Sequence, residues 1–94
     1  MRDRLSLAVT GRSAHAAASG AFQVLTGVQG IEHPADQLLG LACAFKAFAE
    51  VTGFKPAELF EVITRMERDC RFRNVNTLSA VRKYVEGEIK GKLL

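Results

Sequence analysis

Apolar residues recur at helical spacing in two stretches that begin with almost the same phrase, HPADQLLG at His33 and KPAELFEV at Lys55. Each phrase places Pro-Ala before an acidic residue and a run of apolar positions. Proline suits the first helical position because its missing N–H would have no partner there, and an acid in the first turn complements the helix dipole. The pattern predicts helices over residues 34–52 and 56–70. The link between them is so short that they are antiparallel or sharply angled neighbours.

The predicted helix over residues 34–52 is apolar on almost every side, which is typical of a helix covered by other parts of a protein. Few helices are available in a chain of this size to cover it. The helix therefore either lies centrally or meets a second protomer along one face. A central position predicts that truncating Phe45 to alanine costs about 3–5 kcal/mol. We expect a homo-oligomer whose interface includes Leu39, Cys43, Lys46 and Phe48.

Two further helices complete the predicted bundle. The alanine-rich segment over residues 13–26 predicts a first helix, with Ser13 available as its N-cap. A last helix is predicted over residues 77–91, with Asn76 or Thr77 as its cap. Its apolar stripe consists of Leu78, Val81, Val85 and Ile89, and an i,i+4 ladder of charges consists of Arg82, Glu86 and Lys90.

The first residues allow two interpretations. The segment RLSLAV alternates apolar and polar positions as a strand does, but a lone strand needs a second chain to pair with. We therefore expect residues 1–12 to form an extended arm that crosses onto a partner subunit, with a helix as the alternative. The predicted fold is all-α: a single domain over residues 1–94, built as a small bundle of three to four helices with an N-terminal extended arm.

Length and composition favour an ordinary globular protein. The chain has 94 residues, of which 48% are hydrophobic and 24% charged, and this is enough for one modest core. No stretch approaches the 18 or so apolar residues of a membrane span, and the apolar stretch from Leu5 to Val9 is too short for a signal peptide. The two cysteines, Cys43 and Cys70, are expected to be buried reduced thiols. We expect a soluble protein of the cytoplasm with no membrane partner.

The sequence offers little for catalysis or metal binding. The histidines and cysteines, His15, His33, Cys43 and Cys70, show no ligand spacing such as CxxC or HxxxH. No Walker loop, GxGxxG or GxSxG is present, and the acidic residues are not paired in an apolar setting. The expectation is a protein that is not an enzyme, with no catalytic residues, no cofactor and no metal.

Positive charge is concentrated in one segment, because residues 65–83 carry six basic side chains against two acidic ones. Within RMERDCRFRNVN, arginines recur around an aromatic residue, and two basic residues of the next helix can converge on the same corner. The predicted partner- or anion-binding residues are Arg65, Arg68, Arg71, Phe72, Arg73, Arg82 and Lys83. Guanidinium groups bind phosphate bidentately, and an aromatic ring can stack on a base. The alternative is a solvated helix end whose arginines pair with Glu61, Glu67 and Asp69.

From Ile31 onward, the segments HPADQLLGLACAF, FKPAELFEVITRM and LSAVRKYVEGEI resemble a loose group of small helical proteins of tailed phages and prophages. The resemblance covers residues 31–94 and carries over no catalytic residue. It implies an accessory protein that acts stoichiometrically by occupying a host or phage macromolecule.

The expected function is therefore a non-enzymatic, homo-oligomeric interaction protein that binds and modulates or inhibits a host or phage macromolecule. A host defence protein in the host-cell cytoplasm is one such target. The alternative is a nucleic-acid or nucleotide-binding protein that uses the basic corner from Arg65 to Arg73.

Overall fold

Every regular element between residues 2 and 90, the part of the chain that this computed structural model describes, is helical. The elements are α1 (Arg2–Gly11), α2 (Ala14–Gln29), α3 (Pro34–Thr52), α4 (Pro56–Phe72), α5 (Thr77–Tyr84) and a π-helical segment (Val85–Lys90) that continues α5. No strand occurs in this range, so the all-α prediction is confirmed, and a small helical bundle fits. The predicted bounds of 34–52 agree with α3 at both ends.

The helices begin at residues whose side chains or backbone favour a helix start. The Ser13 side chain accepts a hydrogen bond from the Ala16 N–H at 3.1 Å, so the predicted cap is confirmed. At α3, the His33 Nδ1 accepts from the Ala35 N–H at 3.1 Å, and Pro34 follows it. Asn76 occupies the N-cap position of α5, but its side chain makes no capping bond.

Two left-handed residues end α3 and α4. Gly53 has φ 80°, and the next N–H, from Phe54, reaches back to the Ala49 carbonyl at 3.1 Å. Asn74 has φ 58°, and the Val75 N–H reaches the Cys70 carbonyl at 2.8 Å. Both ends follow the Schellman pattern, which satisfies carbonyls that the helix leaves unpaired. Glycine and asparagine tolerate the left-handed region best, so these residues set where each helix turns.

The N-terminal segment is helical, and the prediction of an extended arm over residues 1–12 is wrong for residues 2–11. Leu5 and Val9 are four residues apart, so the alternation that suggests a strand also places them on one helical face, where both are half-buried. Leu7 is left 76% exposed. A helix satisfies its backbone groups without a second chain, which a single strand cannot do. Met1 lies outside the described residues.

The core is small and lies where α2, α4 and α5 meet. Ala18, Cys70 and Leu78 form its buried centre, one residue from each helix. The half-buried side chains packed around it are Ala14, Ala17, Phe22, Met66 and Val81. Phe22 also meets Tyr84 edge to face with ring centroids 5.5 Å apart, which joins α2 to the end of α5. Helix α2 is thus the element around which the others assemble.

Helix α3 is not the central helix that its apolar sequence suggests. Only Ala49 is buried, whereas Leu38 is 72% and Val51 81% exposed. Phe45 is half-buried and stacks on Phe60 of α4, with centroids 5.4 Å apart. The prediction of burial on most faces is therefore wrong within one protomer. The physical reason is that α2 packs chiefly on α5, and its contacts with α3 and α4 are both smaller, so α2 covers only part of α3.

The last predicted helix changes its winding. The α-helix stops at Tyr84, and residues 85–90 follow a π-helix, in which hydrogen bonds span five residues instead of four. The wider turn moves i,i+4 side chains off one another, and no ion pair joins Arg82 to Glu86 within the described residues. Gly87 lies inside this segment and lowers its preference for an α-helix. Gly91, the predicted end, lies outside the described residues.

Candidate functional site

A groove of about 540 Å³ opens where the link between α1 and α2 lies beside α4 and the start of α5. We call it the arginine groove, because Arg12, Arg65 and Arg73 line it. Its other polar wall residues are Thr10, Ser13, His15, Asp69 and Thr77, and its apolar wall residues are Ala14, Val62, Met66, Cys70 and Val75. The groove therefore lies directly outside the small core.

Helix geometry explains why two of the three arginines meet. Arg65, Asp69 and Arg73 follow one another at intervals of four residues, so they share one face. The third arginine, Arg12, comes from the link between α1 and α2 and directly precedes the N-cap Ser13. The opposite wall of the groove is thus supplied by a segment more than 50 residues away in the chain.

The groove has an excess of positive charge. All three arginines are exposed, and Asp69 is the acidic residue on its wall. Across residues 2–90, no hydrogen bond or ion pair engages these three guanidinium groups. The alternative in which Glu61, Glu67 and Asp69 neutralise the arginines is therefore not the arrangement in this structure. The guanidinium donors remain available to an anion.

Two helix starts border the same groove. Ala14 and His15, in the first turn of α2, and Thr77, in the first turn of α5, are wall residues. Ser13 caps only the Ala16 N–H, so the N–H groups of Ala14 and His15 have no partner within the helix. The positive ends of two helix dipoles add to the arginine charge at this place.

The structure divides the predicted basic corner. It brings Arg65 and Arg73 into the groove, but the walls do not include Arg68, Arg71, Phe72, Arg82 and Lys83. Each residue of an α-helix advances by about 100°, so Arg71 lies about 120° round the axis from Arg65. Phe72 is 92% exposed. Of the seven residues predicted for the basic corner, the groove therefore includes Arg65 and Arg73 only.

Sequence reasoning missed Arg12 and His15. Their position beside a capped helix start is visible in the sequence, but that signal is common to many helix starts. No nearby residue indicates that the link between α1 and α2 faces α4, because this position depends on how α2 packs on the core.

A second candidate surface lies on α3, where Leu38, Leu41, Phe45 and Phe48 follow at intervals of three, four and three residues. We call these four residues the apolar stripe. This spacing keeps them on one side of the helix and is the spacing of a coiled-coil seam. Leu38 and Phe48 are 72% and 73% exposed, and Leu41 is 38% exposed.

The predicted interface residues do not share one face. Leu39, Cys43, Lys46 and Phe48 are all exposed, but Phe48 follows Leu39 by nine residues and so lies about half a turn away from it. Lys46 is hydrogen-bonded to Glu50, and this carboxylate raises the pKa of Lys46. Phe48 belongs to the apolar stripe, whereas the other three lie on the side that carries the ion pair. The two cysteines also differ, because Cys70 is buried as expected and Cys43 is exposed.

No protein family model, no curated protein and no solved structure matches this chain. Within the described residues, no group of three or more His, Cys, Asp or Glu side chains is placed to hold a metal ion. No helix in this range is both long and apolar enough to cross a membrane.

Proposed function

We propose that this protein is a non-enzymatic interaction protein that acts as a homo-oligomer through the apolar stripe of α3. The observation that carries the proposal is a stripe of four large apolar side chains at seam spacing on one helix, of which Leu38, Leu41 and Phe48 are exposed and Phe45 is half-buried. A contiguous exposed apolar surface of this kind marks an interaction site, because leaving it in water costs free energy.

The charge distribution around the stripe supports a protein partner. The charged residues of α3 are Asp36, Lys46 and Glu50, and helical spacing places all three on the side away from the stripe. Exposed alanines flank the stripe instead, namely Ala35, Ala42 and Ala44. Protein interfaces have few charged residues at their centre, and small flanking residues allow a second helix to approach closely.

A second copy of this chain is the occupant that the pattern favours. A seam with intervals of three and four residues is filled by a helix of the same spacing, and a twofold axis supplies such a helix without any other protein. The stack of Phe45 on Phe60 continues the apolar surface onto α4, where Phe60 is 58% and Ile63 39% exposed. The interface thus has two helices of each protomer available to it.

The resemblance of residues 31–94 to small accessory proteins of tailed phages and prophages supports the wider role. In that role, the oligomer binds and modulates or inhibits a host or phage macromolecule, of which a defence protein is one kind. Such proteins act by occupying a target, which requires an exposed binding surface and no catalytic group.

Two neighbouring leucines test the proposal. Leu38 and Leu39 are similarly exposed, at 72% and 66%, but only Leu38 is in the stripe. Sedimentation velocity over roughly two decades of protein concentration should show a concentration-dependent oligomer for the wild type and for Leu39→Glu. Leu38→Glu should sediment as a monomer, because a carboxylate placed in the seam loses its hydration on association.

Two results would contradict the proposal. One is a wild-type protein that is monomeric at every concentration. The other is equal weakening of the oligomer by the two substitutions, which would locate the interface elsewhere. Circular dichroism of each variant checks that the helices are intact, and both side chains are exposed enough that no unfolding is expected.

A further inference from the structure

We propose that the arginine groove is a binding site for a small phosphate monoester, with nucleoside phosphates as the ligand class. This inference goes beyond the proposed oligomerisation and can fail separately from it. The groove itself is formed by α1, α2, α4 and α5, whereas the apolar cavity beside it shares Phe45 and Phe60 with the proposed interface. It also narrows the sequence-based alternative, since it moves the site from the Arg65–Arg73 corner to a groove that includes Arg12.

Three guanidinium groups reach the groove from two walls. Arg65 comes from α4, Arg73 is the C-cap residue directly after that helix, and Arg12 comes from the link that faces them. None of the three is committed to a carboxylate within the described part of the chain. A guanidinium presents its donors as a planar fork, and opposed forks can engage different oxygens of one tetrahedral phosphate.

The charge of the groove matches a phosphate monoester better than a carboxylate. Arg12, Arg65 and Arg73 face one acidic wall residue, Asp69, which leaves an excess of two positive charges. A phosphate monoester carries a charge of about −1.5 to −2 at neutral pH and three acceptor oxygens. A single carboxylate has one negative charge and two oxygens, so it would leave donors and charge unmatched.

Further donors surround the arginines. Unpaired N–H groups of the first turn of α2 lie on the wall at Ala14 and His15, and a hydroxyl is present on Thr77. These groups alone do not define a site. They supply additional hydrogen bonds to phosphate oxygens held by the arginines, and the α2 dipole has the favourable sign.

An apolar cavity of about 310 Å³ adjoins the groove and supplies a place for the organic part of the ligand. Arg12, Val62 and Met66 are wall residues of both spaces. The cavity extends from there to the stacked rings of Phe45 and Phe60. A ligand with a phosphate at one end and a planar aromatic ring system at the other therefore matches both spaces together. A nucleoside phosphate has this form, and the faces of its base can pack on apolar and aromatic side chains.

The arrangement favours a small ligand over a nucleic-acid strand. The groove volume of about 540 Å³ falls in the usual range for small-molecule sites, which is about 300–1,000 Å³. A strand needs positive charge along a continuous path. Arg68, Arg71, Arg82 and Lys83 would have to extend that path, and none of them lines the groove.

Titration calorimetry with the full chain tests the ligand class. The probes are AMP, ribose 5-phosphate, inorganic phosphate, adenosine and a short single-stranded oligonucleotide. AMP should bind most tightly, ribose 5-phosphate and phosphate more weakly because they lack the base, and adenosine should not bind measurably because it lacks the phosphate. The heat of AMP binding should be abolished by excess pyrophosphate.

A charge-matched pair of double variants tests the location. Arg65→Gln with Arg73→Gln removes two groove arginines, and Arg68→Gln with Arg71→Gln removes two exposed arginines of the same helix that lie outside the groove. The groove variant should weaken AMP binding about a hundredfold, since each charged hydrogen bond contributes about tenfold or more. The control variant, with the same net charge, should change AMP affinity by no more than about twofold, as expected for charges distant from the ligand.

Arg12→Gln provides an independent check, because Arg12 is in the link and outside α4. It should weaken AMP binding about tenfold even if the double variant of α4 fails to fold. The proposal is overturned if no phosphate probe binds, if adenosine binds as well as AMP, or if the control variant loses as much affinity as the groove variant. Binding of the oligonucleotide without binding of AMP would also overturn it, and would indicate a surface that follows a nucleic-acid backbone.

Discussion

Helix α3 and the cluster of α2, α4 and α5 make opposite use of apolar residues. Helix α3 has three charged residues among 19, yet it buries only Ala49. Helix α4 has seven charged residues among 17, yet it places Cys70 in the core and packs Met66 beside it. The comparison shows that apolar content does not decide which helix is central. What decides is whether the apolar residues form one face that another helix can cover.

Most apolar residues of α4 lie on one side of the helix, with Phe60 and Phe72 as exposed exceptions, so one orientation brings Cys70 and Met66 into the core. The apolar residues of α3 occur on several sides, and no orientation within one protomer can cover them all. Helix α2 packs chiefly on α5 and makes smaller contacts with α3 and α4, so most of α3 stays uncovered. The uncovered stripe of α3 is then available to another molecule, which is why the oligomer proposal places the interface there.

The largest expected effect comes from replacing a leucine by alanine in the core, compared with the same replacement on α3. Leu78 is 8% exposed in the core, and Leu78→Ala should lower the free energy of unfolding by about 2–5 kcal/mol. Leu38→Ala should change it by no more than about 0.5 kcal/mol at protein concentrations where the chain is monomeric. Urea unfolding followed by circular dichroism measures both values. Equal losses in dilute protein would show that α3 is covered within one protomer.

Phe45 gives an intermediate case, because it is half-buried and stacks on Phe60. Phe45→Ala should cost about 1–2 kcal/mol, less than the 3–5 kcal/mol of a fully buried phenylalanine. Phe60→Ala provides the partner substitution, and a double-mutant cycle isolates the coupling between the rings. If Phe45→Ala alone lowered the free energy of unfolding by about 4 kcal/mol, the central position of α3 that the sequence suggests would be supported.

The smallest effects concern two glycines, one at the end of α3 and one inside α2. Gly53 has φ 80°, so Gly53→Ala should cost about 1–2 kcal/mol through the strain of a left-handed alanine. Gly27 lies within α2 with no other atom within 4 Å of an added methyl group, and Gly27→Ala should stabilise by about 0.5–1 kcal/mol. The midpoint temperature of unfolding should therefore fall for Gly53→Ala and rise for Gly27→Ala. A rise of the midpoint for both variants would mean that Gly53 at the end of α3 is not held in the left-handed conformation.

Local features of this protein were predictable because a few neighbouring residues determine them. Pro34 and the left-handed Gly53 bound α3, and Ser13 caps α2, as their positions in the sequence predict. The N-terminal segment was not predictable, because alternating Leu5, Leu7 and Val9 fit a strand or a helix and the choice depends on whether a pairing chain is present. The π-helical turn after Tyr84 leaves no comparable mark in the sequence.

The candidate site was predictable in part. The spacing of Arg65 and Arg73 places them on one face of any helix that contains both, so their meeting follows from the sequence alone. The exclusion of Arg71 from that face follows from the same geometry. The presence of Arg12 does not, because it requires the link between α1 and α2 to face α4.

By itself, the sequence determined where most helices begin and end and which of their residues share a face, since these depend on caps, prolines, left-handed residues and a period of 3.6. Only the tertiary structure decided which face is covered and which distant residues meet. Helix α2 packs chiefly on α5 and builds with α4 and α5 the core at Ala18, Cys70 and Leu78, whereas its smaller contact with α3 leaves most of that helix exposed. Burial depends on how all the helices pack together. A helix with a clear pattern of apolar residues can therefore take a position in the fold that this pattern does not predict.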